Sequence, residues 1–169
     1  MIYYQADFSG GRSLKIKLSR RDIEGVIPHR RHAQFLDWAV VDTDSGEVTA
    51  AFRARKWMCD GHMDILPGHF MAEGVNLAIA IAAMHGKPPK TQVLLRETGN
   101  GKLYLKVPQG ALVTVTGRVN SCEVVRRIFL RVIASGEATV GGKRAFTVPA
   151  EIKAVIELPE ESGENKAEE

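Results

Sequence analysis

Residues 13–18, SLKIKL, alternate polar and apolar side chains with the period of two that marks a half-buried strand. Ser19 then offers an N-cap, and Asp22 three residues later gives a weaker form of the capping box, so residues 20–25 are expected to form a short helix that ends at Val26-Ile27-Pro28. Two further runs, 35–42 (FLDWAVVD) and 47–56 (EVTAAFRARK), flank Thr43-Asp44-Ser45-Gly46 and predict a hairpin. The pattern changes at residues 71–85, MAEGVNLAIAIAAMH. Between Val75 and Met84 only Asn76 carries a strong hydrogen-bonding side chain, and a helix apolar on all sides is one that the rest of the protein buries. Gly86 and Pro88-Pro89 should stop it.

After this helix the chain reads as strands rich in Val, Ile and Thr: 92–96, 102–106, 111–119, 124–135 and 146–156. They are separated by Gly99-Asn100-Gly101, Pro108-Gln109-Gly110, Asn120-Ser121 and Gly141-Gly142. A hairpin, one buried helix and a run of antiparallel strands make an α+β plan. The simplest cover for the helix is an antiparallel sheet curved around it, which resembles the hotdog fold. That fold commonly pairs two sheets edge to edge, and a homodimer or higher even oligomer is expected from it.

The chain has 169 residues, room for one domain, expected over 1–156. Residues 157–169, ELPEESGENKAEE, carry six acidic side chains against Lys166 and almost no apolar ones, and are expected to be a disordered acidic tail. The remainder holds 22 basic and 14 acidic residues, so the overall charge of +3 hides a body of +8. Such a body invites a polyanionic partner, yet no nucleic-acid motif accompanies the charge. No apolar run reaches the length of a membrane span, and MIYYQADFSGGRSLK lacks the order of a signal peptide, so a cytoplasmic protein is expected. Cys59 and Cys122 have no CxxC spacing, which argues against a disulfide scaffold.

DIEGVIPHRRHAQFLDWAVVD (22–42), WMCDGHMDILPGHFMAEGV (57–75) and LKVPQGAL (105–112) together resemble the β-hydroxyacyl-acyl carrier protein dehydratases. Residues 22–42, DIEGVIPHRRHAQFLDWAVVD, resemble the family's opening helix, its (I/L)PHR turn and its FLLVDRV strand. Residues 57–75, WMCDGHMDILPGHFMAEGV, resemble PFFQGHFPGRPIMPGV, the active-site loop running into the central helix. Residues 105–112, LKVPQGAL, resemble the R-P-V-x-P-G-D-x-L stretch. The resemblance implies a thioester substrate carried on the phosphopantetheine of acyl carrier protein or on CoA, with no other cofactor. Arg30, Arg31, Arg126, Arg127 and Arg131 are candidates to meet an acidic carrier.

In that family a loop histidine faces a carboxylate on the central helix. Aligned on Gly61-His62, this chain has three extra residues, Met63-Asp64-Ile65, and Ile79 stands where the carboxylate should be. Aligned on Gly68-His69-Phe70, the helix again shows no interior acid. His62 is therefore the first candidate for a general acid/base and His69 the second, with Glu73, expected in the helix's first turn, as helper. The helix N-terminus supplies N–H donors for a thioester oxyanion. Gly68, Gly74, Val75 and Asn76 are the expected substrate-binding residues, Gly74 by letting substrate approach closely. Asp60 and Asp64 either orient His62 or form the turn. His29 is expected to be structural, His32 exposed, and His85 to sit against the helix dipole. A zinc site from His62, His69, Cys59 and Asp64 matches no known spacing, so no metal is expected. The function expected is 3-hydroxyacyl-thioester dehydration. The alternatives are a thioesterase using Glu73 and a non-catalytic subunit that binds acyl thioesters. Nucleic-acid binding rests on charge alone.

Overall fold

The computed structural model describes residues 14–27, 33–87, 92–97, 101–126, 129–148 and 152–157. The expectations for Pro28, His29, Arg30, Arg31, His32, Pro88-Pro89, Gly99-Asn100, Arg127 and the tail beyond Glu157 lie outside them.

The first strand, β1 (Lys15–Ser19), alternates in burial as its sequence alternates in polarity. It runs into α1 (Arg20–Val26) through a complete capping box: the Asp22 N–H donates to Ser19 Oγ at 3.4 Å and the Ser19 N–H to Asp22 Oδ2 at 2.8 Å. Donation from the Ser19 hydroxyl, then from its N–H, holds the Asp22 carboxyl below the ordinary carboxylate range. The hairpin forms from β2 (Trp38–Asp42) and β3 (Glu47–Arg53). Its turn is tied by Asp42 Oδ1, which accepts from the N–H groups of Asp44 and Ser45 at 3.1 Å, and Gly46 takes the left-handed φ of +66°. Both strands are shorter than expected. Phe35 and Leu36 are buried but precede β2, and β3 stops before a short helix, α2 (Lys56–Cys59), that sequence periodicity did not reveal.

The central helix, α3 (Gly68–Met84), starts three residues earlier than expected and ends at His85, whose N–H donates to the Ile81 carbonyl, with Gly86 left-handed behind it. It is preceded by β4 (Ile65–Leu66) and followed by β5 (Gln92–Glu97), β6 (Lys102–Leu103) and β7 (Val107–Pro108). Then come β8 (Leu112–Arg126), β9 (Phe129–Val140), β10 (Lys143–Thr147) and β11 (Ile152–Glu157). The main sheet runs β1-β2-β3-β8-β9, with every pair antiparallel. The far edge of β9 is shared: β10 takes its residues 137–140 and leads to β6, while β11 takes 129–134 and leads to β5. β4 and β7 form a separate small pair.

Asn120-Ser121 is not a turn, as expected from composition, but part of β8. The strand runs through it with a register shift, and the Asn120 side chain exchanges hydrogen bonds with the Ser135 hydroxyl across the ladder. The expected strand 124–135 is consequently divided between β8 and β9, and 146–156 between β10 and β11.

α3 lies across β3, β8 and β9, and its approach is set by missing side chains. Gly117 and Gly136 face each other across β8 and β9. A Cβ on Gly117 would stand 2.5 Å from the Ile79 backbone nitrogen, and one on Gly136 would stand 2.6 Å from Val75 Cγ1. On the helix itself, a Cβ on Gly74 would stand 2.9 Å from the Phe52 ring. At Gly117 helix backbone thus rests directly on sheet backbone, and at Gly136 the Val75 side chain does. Met71, Gly74, Val75, Leu77, Ala78, Ile79, Ile81 and Ala83 are buried, whereas Ala72, Glu73, Asn76, Ala80 and Met84 form a partly covered stripe. No residue of α3 after His69 is exposed. No helix of the described residues is long and apolar enough to cross a membrane.

Gly117→Ala should lower stability by ~2 kcal/mol or more, because helix and sheet backbones must separate to admit the methyl. Thermal unfolding checks it against Gly25→Ala in α1, where nothing lies within 4 Å of the added atom and the change should be neutral or slightly stabilising. The thiols give a second check. Cys59 is buried, and desolvation, then the charges of Asp64 and Asp60, push its thiol above the ordinary range, whereas Cys122 is exposed on β8. Iodoacetamide should modify Cys122 in the native protein and Cys59 only after unfolding, read by mass spectrometry.

Candidate functional site

The segment that leads to α3 is held from both sides. After α2, residues Asp60, Gly61, His62, Met63 and Asp64 form an exposed loop, with Met63 89% exposed. The His62 N–H donates to the Cys59 carbonyl and the Ile65 N–H to the His62 carbonyl, both at 3.0 Å. The Asp64 carbonyl accepts from the Gln109 N–H at 2.8 Å, and pairing of β4 with β7 fixes Ile65 and Leu66. Met63 and Asp64 sit at φ +51° and +58°, a left-handed conformation that costs a side-chain-bearing residue of order 1–3 kcal/mol. The three residues that interrupt the family pattern in sequence therefore hold the strained tip of this loop and its return into β4.

Beyond it, Pro67 is the N-cap of α3 and no side chain caps the first turn. The Phe70 N–H donates to the Pro67 carbonyl at 3.1 Å, which leaves the preceding N–H groups of Gly68 and His69 as the end of the helix dipole. Gly68 has open space where a Cβ would stand, so this end is approachable. His69 is exposed and lies 4.3 Å, centroid to centroid, from the Phe70 ring. Phe70 in turn meets Trp57 edge-on at 5.6 Å and Phe35 at 6.0 Å, and Phe35 meets Phe52 at 4.7 Å. An aromatic run thus leads from the core beneath Gly74 to the surface beside the helix start. Sequence reading missed it because its members are distant along the chain.

Glu73 falls in the second turn, not the first, because α3 begins at Gly68. The helix dipole acts mainly within the first turn, so it does not account for a glutamate here. Glu73 is partly buried on the same stripe as Asn76, whose Nδ2 donates to Glu73 Oε2 at 3.4 Å. The other end of that amide, Asn76 Oδ1, is buried and accepts no hydrogen bond among the described residues. Of the expected substrate-binding residues, Gly74 packs on Phe52 and Val115, and Val75 packs against Gly136. The structure gives both a packing role.

His69 and Glu73 share a helix face by their spacing of four. Among the described residues no hydrogen bond or ion pair joins His62 to His69 or to Glu73, and no group of three His, Cys, Asp or Glu side chains is placed to hold a metal ion. Beside the loop, the Arg55 guanidinium pairs with Asp37, whose second oxygen accepts the Arg53 N–H at 3.0 Å and fixes the end of β3. His85 lies at the far end of α3 and is remote from this chemistry along the helix.

No family model matches the sequence, and no curated protein matches it. Solved structures do. A candidate thioesterase, a phenylacetic acid degradation-related protein from Ralstonia eutropha JMP134, superposes with a TM-score of 0.55 at 15% identity, over 68% of this chain and 80% of its own. The sigma28-regulated virulence protein Cj0977 of Campylobacter jejuni gives 0.54 at 10% identity, over 82% and 89%. A conserved protein of Pseudomonas aeruginosa gives 0.52 at 13% identity, over 67% and 82%. At such identities the likeness concerns architecture, and nothing in it singles out the dehydratases. The chain has an α+β hotdog fold.

Proposed function

We propose that the chain acts on acyl thioesters and hydrolyses them, with Glu73 as general base. The observation that carries this reading is the position of Glu73: partly buried, one turn beyond the open N–H groups of Gly68 and His69, and engaged by Asn76. A helix rises ~1.5 Å per residue, so Glu73 stands roughly 7 Å along the axis from those donors. That span accommodates a thioester whose carbonyl oxygen lies on the N–H groups and a water between its carbon and the carboxylate. The water attacks the carbonyl carbon, Glu73 takes its proton, the C–S bond breaks, and the departing thiolate recovers a proton as the acid is released. Charge on the tetrahedral oxygen is met by fixed donors that need no reorganisation. The Ralstonia neighbour, itself a candidate thioesterase, is in keeping with this chemistry.

Dehydration of a 3-hydroxyacyl thioester is the second reading, favoured by the three family-like stretches around α3. It requires His62 or His69 to work without the family's helix carboxylate, since Ile79, at that place, is buried in the core. A homodimer, or a higher even oligomer, fits either reading. Among the described residues β5 pairs only with β11 and leaves its other edge open, and the stripe of α3 is only partly covered within one chain. The basic body suits an acyl carrier protein or a CoA thioester as substrate carrier.

Saturated, enoyl and 3-hydroxyacyl thioesters, assayed for both free thiol and enoyl product, separate the readings. Thiol release from saturated substrate is expected, falling by ~10²-fold or more in Glu73→Gln. Enoyl product that disappears in His62→Ala would replace hydrolysis by dehydration, and silence in both assays would leave a thioester-binding subunit. Light scattering at micromolar concentration should give a dimer.

A further inference from the structure

Among polar atoms of the described, non-exposed residues, the Asn76 carbonyl oxygen stands out: it is buried, accepts no hydrogen bond there, and lies on α3 beside the proposed base. Its orientation follows from its neighbour. A carboxylate only accepts, so the amide end facing Glu73 must be Nδ2, and Oδ1 must point away from that bond. A buried carbonyl without a donor destabilises the fold, while an apolar side chain of similar size would not. Ala72, Ala80 and Met84 on the same stripe tolerate apolar character, so the fold itself places no demand for an amide at position 76.

Resting on the thioesterase reading, we infer that Asn76 is a second catalytic residue, whose Oδ1 accepts one hydrogen of the hydrolytic water while Glu73 accepts the other. A water attacks through a lone pair, and it presents one only when both hydrogens are engaged elsewhere. Two acceptors one turn apart on a rigid helix meet that need, and a buried water ordinarily has two to four polar partners. The Nδ2 bond to Glu73 holds both acceptors at a fixed separation. When the water is consumed its oxygen joins the acyl carbon, one proton goes to Glu73, and the other stays on the new carboxyl group until it ionises. Asn76 exchanges no proton at any step.

The experiment compares wild type, Asn76→Leu, Asn76→Ser and Glu73→Gln by thermal unfolding and by steady-state hydrolysis of a saturated acyl-CoA. Asn76→Leu should raise the melting temperature by a few degrees, because the unpartnered carbonyl is gone. It should also lower kcat ~10-fold or more with KM nearly unchanged, since water rather than substrate loses its anchor. Asn76→Ser, which keeps an oxygen acceptor, should recover part of kcat. A fall in melting temperature for Asn76→Leu, or an unchanged kcat in a protein that Glu73→Gln inactivates, overturns the inference and leaves the thioesterase reading in place. Wild-type protein that releases no thiol overturns both.

Discussion

Backbone contact between α3 and the sheet governs the rest of the molecule. At Gly117 no side chain separates the two and at Gly136 only that of Val75 does, so the helix can neither rotate nor slide without driving Ile79 or Val75 into a strand. Cores are close-packed and do not deform continuously, and a helix seated on glycine is held more narrowly still. The seat decides which residues point inward. Val75, Ala78 and Ile79 go down, and His69, Glu73 and Asn76 are consequently turned away from the sheet on a common side. The placement of the polar stripe follows from two strands that do not carry it.

That stripe sits in apolar surroundings, which makes its few polar atoms consequential. A glutamate on the second turn gains little from the dipole, and an amide whose oxygen finds no donor is a cost to folding. Local departures of this kind, in a helix otherwise filled with Ala, Ile and Leu, are where binding or catalysis is expected to reside. The preceding loop departs similarly, with two consecutive left-handed residues held by the β4–β7 pair and by Gln109.

Much of the architecture was legible along the chain, because it rests on short-range rules. The capping box at Ser19 and Asp22, the Thr43–Gly46 turn and the glycine after α3 each depend on a few adjacent residues. Errors arose where a distant partner decided the outcome. Asn120-Ser121 reads as a turn until Ser135 engages the asparagine across the ladder, and β8 then continues through a bulge. Within the candidate site, Glu73 and Asn76 were visible as polar residues in an apolar run. Their mutual bond follows from helical spacing, but the extra turn that moves Glu73 out of reach of the dipole depends on where α3 begins. No sequence pattern shows which side of an all-apolar helix meets the sheet, so the packing of Gly74 on Phe52 and of Val75 against Gly136 emerges only in the folded chain.

At the far end of β8 the balance is different. Ser121, Cys122, Glu123 and Val124 are exposed in succession, so both faces of the strand lie open there, past the point where α3 stops covering it. Local opening free energies follow buried apolar contact, and they fall toward zero where it is lacking. β8 is packed where α3 covers it and exposed over residues 121–124, while β9 beside that stretch keeps Val132 and Ala134 in the core. A single strand thus carries the glycine seat of α3 and, past the Asn120 bulge, an exposed stretch held to the fold through its ladder to β9.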